Sequence, residues 1–353
     1  MLLVFRPHPV FLFIAVVAFS ASSLGLDIQI RPDAGLAANG PALAAFERAA
    51  ATWERIFDDP ITIVIDANFQ PLDNSIIGST ESTTLFGDNF AEIRDAMVHD
   101  DALEGGSIVQ ALPTFTQLSA TLPPGRTLFD SMSATQANLK ALGFTGLAAL
   151  SGHEEDATIS FNSNFAFGFD FDNRDGVAPF QVDFETAAAH EIAHALGFVS
   201  IVDTIDVTFI AEYPEVSFFP LDLFRFGRGA GANPFTVADF TSYPRELTPG
   251  RAAHFDDLIY EYEMATGASR GDGTQASHWK DDGLTGEFIG LMDPTLDYGT
   301  SYGPTEADIR ALDAIGWHVV PEPTFGVLPL LVLLVAGGRG FRRNGMRPDS
   351  GKI

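Results

Sequence analysis

His190 to Phe198 reads HEIAHALGF, and the fold depends on whether this stretch is a helix. Phe184 to Ala189 (FETAAA) is rich in helix formers and follows Asp183, a good N-cap residue. Downstream, Gly197 is placed to end the helix in a left-handed turn. On such a helix His190 and His194 lie one turn apart on one face, so both imidazoles can reach the same metal ion. Zinc suits that pair, and Glu191 beside it is placed to take a proton from a water held by the metal. The same three residues also arise in helices that use them for packing or surface charge; here the flanks favour the metal. A helix that stops three residues after His194 lets the chain turn and return with a third ligand.

Farther along, Ser277 to Lys280 reads SHWK and Gly290 to Pro294 reads GLMDP. A helix is expected at Glu306 to Ile315, capped by Thr305 with Asp308 three residues on, and the stretch closes with Gly316 and Trp317. This order resembles leishmanolysin-type metzincins, and the resemblance spans His190 to Trp317. It implies an α+β fold: a two-lobed zincin, with a twisted mixed sheet and active-site helix above a mainly helical or irregular C-terminal lobe. It implies His190, His194 and His278 as zinc ligands, Glu191 as general base and Met292 as the Met-turn methionine. Most metzincins place the third ligand where Ser200 stands, and a hydroxyl is a poor zinc ligand. The family's cysteines are missing from this chain, which has none, so the part after the helix must be held differently. From the residues alone Asp203, His254, Glu212 and Glu215 stay open as competing ligands, with His254 expected on the surface or near substrate. Met292 taken alone would be an ordinary core methionine. Tyr298, Tyr302 and His254 are candidates to stabilise an oxyanion.

The ends of the chain suggest export. Arg6, the apolar run Pro9 to Phe19 and the small residues Ser20 to Ser23 have the three-part form of a secretory signal peptide, assigned to residues 1–25. At the other end VPEP (Val320 to Pro323) precedes an apolar stretch, Phe325 to Ala336, followed by Arg339, Arg342, Arg343 and Arg347. This resembles the PEP-CTERM sorting signal of Gram-negative bacteria and implies an exosortase-type partner. Read without the resemblance, the segment is a transmembrane tail anchor held by inside-positive charge. The expected division is a catalytic part over residues 26–319 (upper lobe 26–197, lower lobe 198–319), a sorting or anchor segment over 320–347 and a tail over 348–353. The expected location is the cell surface, anchored or released after processing. A formal net charge of −27 repels nucleic acid and anionic lipid, so no nucleic-acid partner is expected. Without cysteine, metal ligands must come from His, Asp or Glu.

Within the central part, Asn39, Gly40 and Pro41 open a helix whose Leu43, Phe46, Ala50, Trp53 and Phe57 form one apolar face, ended by Pro60. Ile61 to Ile65 (ITIVI) reads as a central strand. Helices are expected at Phe90 to Val98 and at Ser133 to Leu142, the latter stopped by Gly143. Ala157 to Phe161 alternates like an edge strand with one solvated face, placed to pair with an extended substrate. Asp170 to Gly176 (DFDNRDG) resembles a calcium loop one residue too long, with Asp170, Asp172 and Asp175 as its ligands; the alternative is an acidic turn. Together these features suggest an exported zinc endopeptidase acting on protein or peptide. The alternative is a catalytically silent surface or matrix protein of zincin-like shape.

Overall fold

The computed structural model describes residues 25–73 and 76–321. The signal-like start and the apolar and arginine-rich parts of the sorting segment lie outside the described residues. Among those described, no helix is long and apolar enough to cross a membrane. The architecture is mixed α and β. Its first sheet has the order Asp27–Pro32, Thr62–Gln70, Ala157–Asn162, Gly78–Ser82; the first three strands run parallel and the last antiparallel.

Helix Gly40–Ile56 links the first two strands. Asn39 caps it by accepting from the Ala42 N–H at 3.3 Å, and Pro41 occupies the first turn, where a missing N–H costs nothing. Phe46, Ala50 and Trp53 are buried as their spacing predicts, while Leu43 is only partly covered. Phe57 lies past the helix end and bridges to Val319. The Trp53 indole donates to the Ala189 carbonyl at 2.9 Å, fastening this helix to Phe184–Leu196.

Three expectations change. Ala157–Asn162 is an inner strand, nearly all buried, and the edge is Gly78–Ser82. That edge reads GSTES, a polar run without the alternation that marks a strand, so its pairing depends on the neighbour rather than on its own sequence. Ser133 begins no helix: strand Thr127–Thr135 continues through it, and Thr135 then caps the shorter helix Gln136–Ala141. Pairing with Thr84–Phe86 and Glu215–Phe218 buries Met132 and Ala134 and overrides local helix propensity. The helix starting at Phe90 runs on to Glu104, where Gly105 ends it at φ 114°.

Beyond Gly197 the chain is less helical than expected. A five-stranded sheet has the order Glu261–Met264, Ala253–Asp256, Arg225–Gly227, Arg245–Glu246, Ala120–Thr121, and its first four strands come from this region. Two buried arginines hold it. Arg225 donates to the carbonyls of Glu246 (3.1 Å), Ala265 (2.6 Å) and Ala276 (3.4 Å). Arg245 donates to Leu223 O (2.7 Å) and Tyr243 O (2.8 Å) and lies over the Phe226 ring at 4.3 Å. One apolar cluster, from Leu26 to Trp317, serves both parts of the chain. Arg225→Met should cost about 3 kcal/mol, because buried carbonyls lose a charged donor. Urea unfolding measures it; a loss below about 1 kcal/mol would mean that the guanidinium is replaceable by packing.

Candidate metal centre

Asp183 starts the helix Phe184–Leu196 by accepting from the Glu185 N–H (3.1 Å) and the Thr186 hydroxyl (2.7 Å). Gly197 ends it at φ 122°, where a Cβ would stand 3.0 Å from Ile315 Cδ1 and 3.2 Å from Asn138 Cβ. Both conformation and space therefore require glycine. Within this helix His190, Glu191 and Leu196 are buried, and His194 is half-buried.

His278 arrives from the loop before Trp279. Its Nε2 lies 3.1 Å from His190 Nε2 and 3.3 Å from His194 Nε2. On the far side of each ring, Nδ1 faces a backbone carbonyl: Leu291 O for His190 (2.8 Å), Phe198 O for His194 (2.8 Å) and Gln275 O for His278 (3.1 Å). A carbonyl can only accept, so each Nδ1 carries the proton and each Nε2 of a neutral ring presents a bare lone pair. Burial, with the neighbouring imidazoles, pushes all three rings down to about 3, so they are neutral at physiological pH. Three lone pairs in contact repel one another unless a cation lies between them. Tetrahedral donors about 2.0–2.1 Å from a zinc ion stand about 3.3 Å apart, so both the donor set and its spacing fit that ion.

The segments carrying these rings are held by carboxylates, one buried and one half-buried. Asp308 accepts from the N–H groups of Leu291 (2.7 Å) and Met292 (3.1 Å) and from the Trp279 indole (2.7 Å). Met292 is fully buried, and its carbonyl accepts from the Trp279 N–H at 2.9 Å. Asp203, an open candidate for ligand, has another use: its carboxylate accepts from Ala276 N (2.5 Å), Ser277 N (3.1 Å) and the Ser277 hydroxyl. It steadies the residues just before His278. Ser200 caps helix Ile201–Val207 by accepting from the Val202 N–H (3.2 Å), donates its hydroxyl to Asp222 (2.6 Å) and its N–H to Ser277 Oγ (2.8 Å).

Glu191 is pinned by the edge strand. Thr80 Oγ1 lies 2.7 Å from Glu191 Oε2 and 2.9 Å from the Glu191 carbonyl, and the Ser82 hydroxyl reaches the His194 carbonyl at 3.2 Å. A Cβ on Gly78 would stand 2.8 Å from Glu191 Oε1, so glycine makes room for the carboxylate. Burial raises the Glu191 carboxyl to about 7, against the hydrogen bond from Thr80, which lowers it. A cleft of about 830 Å³ runs past these groups, lined among others by Gly78, Thr80, Glu191, His278 and Leu296.

Other candidates lie elsewhere. His254 is fully buried in the five-stranded sheet, contrary to the expected surface position, with Nε2 2.7 Å from Asn233 Oδ1. His254, Tyr298, Tyr302, Glu212 and Glu215 do not line the cleft. Asp170, Asp172 and Asp175 do not form one of the converging ligand groups found among the described residues. Asp172 is paired with Arg174 (2.6 Å), and Asp170 accepts from Asp172 N (3.0 Å) and Ala178 N (2.9 Å), so the loop is closed by its own cation and backbone. Sequence reasoning missed Thr80, Gly78 and the positioning roles of Asp203 and Asp308; the Thr305–Asp308 capping spacing was the one available signal. A scan against protein-family models found no match, and searches of curated proteins and of solved structures found none.

Two outcomes follow from this geometry. Asp308→Asn should weaken zinc affinity about 10–100-fold, measured by competition with a chelating dye; unchanged affinity would remove Asp308 from the support of the site. The pH dependence of the metal-free protein has a definite sign. With the three histidines depressed from 6.5 to about 3, the unfolded chain binds more protons in that window. Their stabilisation is present above 6.5 and lost as pH falls toward 3. Glu191, raised from 4.5 to about 7, contributes oppositely, with stability full below 4.5 and lost as pH rises through 7. The urea midpoint should fall between pH 7 and pH 5, and less so in a triple His→Gln variant; equal falls would contradict buried neutral rings.

Proposed function

We propose that this chain is an exported zinc-dependent endopeptidase with a two-lobed zincin fold of the leishmanolysin-like metzincin type. The observation that carries this reading is the convergence of His190, His194 and His278 at Nε2, with Glu191 on the same cleft. A bound zinc ion would supply Lewis acidity, polarising the scissile carbonyl and acidifying the attacking water. The chain's residues do the rest. Three imidazoles, each locked by a carbonyl at Nδ1, offer neutral donors and leave the ion's charge undiminished. Glu191, oriented by Thr80, takes a proton at Oε1 or Oε2 from the attacking water and returns it to the leaving amine.

The edge strand supports peptide as the substrate class. Ile77 O accepts from Asn162 N, and Thr83 N donates to Asp156 O. By the alternation of an antiparallel pair, the N–H and C=O groups of Gly78, Thr80 and Ser82 then face away from the sheet. An extended peptide adding to that edge would lie along the cleft beside Glu191. This reassigns the pairing role from Ala157–Asn162 to Gly78–Ser82. The start of the chain and its PEP-CTERM-like end agree with export and with exosortase-type processing at the cell surface.

The decisive experiment is zinc content and casein hydrolysis of the purified protein, alongside Glu191→Ala and His278→Ala. The reading requires one zinc per chain and a loss of activity of at least about 1,000-fold in both variants, with metal weakened only in His278→Ala. A wild type that holds zinc but never cleaves would leave the silent binding protein; one that holds none would end the metal reading.

A further inference from the structure

A second cavity, of about 660 Å³, shares no lining residue with the metal cleft. Four elements meet around it: the turn Ile108–Ala111, the start of helix Val237–Ser242, the turn at Asp257 to Ile259, and the end of helix Glu306–Asp313. Its volume lies within the range of pockets that enclose ligands.

One wall is under strain. Leu258 has φ 65°, and among the described residues it is the only non-glycine with positive φ. Such a conformation costs a branched residue about 1–3 kcal/mol and persists only where its surroundings impose it. Here they do. Asp256 accepts from Leu258 N (2.7 Å), while Asp257 accepts from Ile259 N (2.9 Å) and Tyr260 N (2.8 Å). The other oxygen of Asp257 takes Arg310 Nε (2.9 Å) and Nη2. The clamped turn puts Leu258 and Ile259 on the cavity wall, which Ile108 and Val237 also line, with Ile259 72% and Val237 57% exposed. Aliphatic side chains held open to water on a concave wall mark a binding surface.

The charge is also uneven. Arg310 is occupied by Asp257 and by the Tyr260 ring, whose centroid is 4.5 Å away. Asp313, also on the wall, has no hydrogen bond or ion pair to its carboxylate among the described residues. The side chain is exposed, but the packing around the carboxylate, then Glu104, pushes it up to about 6 against the weaker pull of Arg310. Glu104 and Asp101 add negative charge nearby, so a cation placed there would be attracted to a carboxylate that has no partner of its own.

We propose that this cavity binds a polypeptide segment that presents a bulky aliphatic side chain beside a lysine or arginine. The aliphatic group packs on Ile108, Val237, Leu258 and Ile259, and the cation meets Asp313. The inference stands apart from the metal chemistry, since none of these residues reaches the cleft.

The test uses the full chain with Glu191→Ala, so that no probe is cleaved, and with isotope-labelled Ile, Leu and Val methyl groups. Capped tripeptide amides of sequence lysine-leucine-lysine, glutamine-leucine-glutamine and glutamate-leucine-glutamate are titrated in turn. The lysine peptide should shift the methyls of Ile108, Leu258 and Ile259 and bind at least about fivefold more tightly than the glutamine peptide. Asp313→Asn should erase that preference while the glutamine peptide still binds. Should Asp313→Asn unfold the protein, loss of the preference in high salt on unchanged protein replaces it as readout. Equal binding of all three peptides, tighter binding of the glutamate peptide, or shifts confined to the metal cleft would each overturn the proposal.

Discussion

The buried carboxylate of Asp308 is the point to which the segments carrying His190 and His278 are tied. Besides the donors from Trp279, Leu291 and Met292, it takes the Thr305 N–H (2.7 Å) and hydroxyl (2.9 Å). Burial pushes its pKa above the ordinary carboxylate value while these donors pull it down. An ion so desolvated is tolerated only when its lone pairs are filled, so moving any one of the five donors leaves the buried carboxylate partly unsatisfied. Geometry passes outward from there. Leu291 presents the carbonyl that fixes His190, and Trp279 follows His278 directly. Even the space is specified: a Cβ on Gly290 would stand 2.6 Å from Asp308 Oδ2. A helix cap at Thr305 and Asp308 thereby ties together the segments that carry two imidazoles 88 residues apart in the chain.

The region after the motif helix has no disulfides, and its cross-links are guanidinium groups instead. Arg225 and Arg245 are fully buried and bond mainly to backbone carbonyls. Arg126 does the same for Tyr213 O (2.5 Å) and Thr208 O (2.8 Å). A guanidinium has five donors in a rigid fork, so one side chain can tie three separate strands or loops. The cost is desolvation: burial is the first cause of the lowered pKa of all three arginines, down to about 9 for Arg245. These ties are specific because a hydrocarbon could fill the same volume but not satisfy the carbonyls.

How much of this was legible in the sequence follows from how local each signal is. The motif helix, the helix after Asn39, the ITIVI strand and the Thr305 cap are written in spacing and capping residues that lie within a few positions of one another. The three-histidine set was reached through resemblance in the order of short motifs, not by any local rule. Gly78–Ser82 could not be read that way, because a polar Ser/Thr strand becomes a strand only through its neighbour Ala157–Asn162. Asp203 and His254 were ambiguous for a related reason. A carboxylate nine residues after His194 can serve as ligand or as clamp, and only the fold brings Ala276 and Ser277 to it.

The histidine centre is costly without a cation, and the surrounding packing has to withstand that cost. Three lone pairs facing one another in a desolvated site favour separation, yet each ring is anchored at Nδ1 and cannot turn away without losing a hydrogen bond to a backbone carbonyl. All three tryptophans of the chain oppose such movement. Trp53 donates to Ala189 O beside the first histidine, Trp317 to Leu196 O at the helix end (2.9 Å), and Trp279 to Asp308. Each couples a large buried aromatic surface to one directed hydrogen bond, so a shift of the helix or of the loop would sacrifice packing and bond together. The preorganised geometry at Nε2 is therefore maintained by groups that do not touch the metal position, and a cation entering it would find its donors already in place.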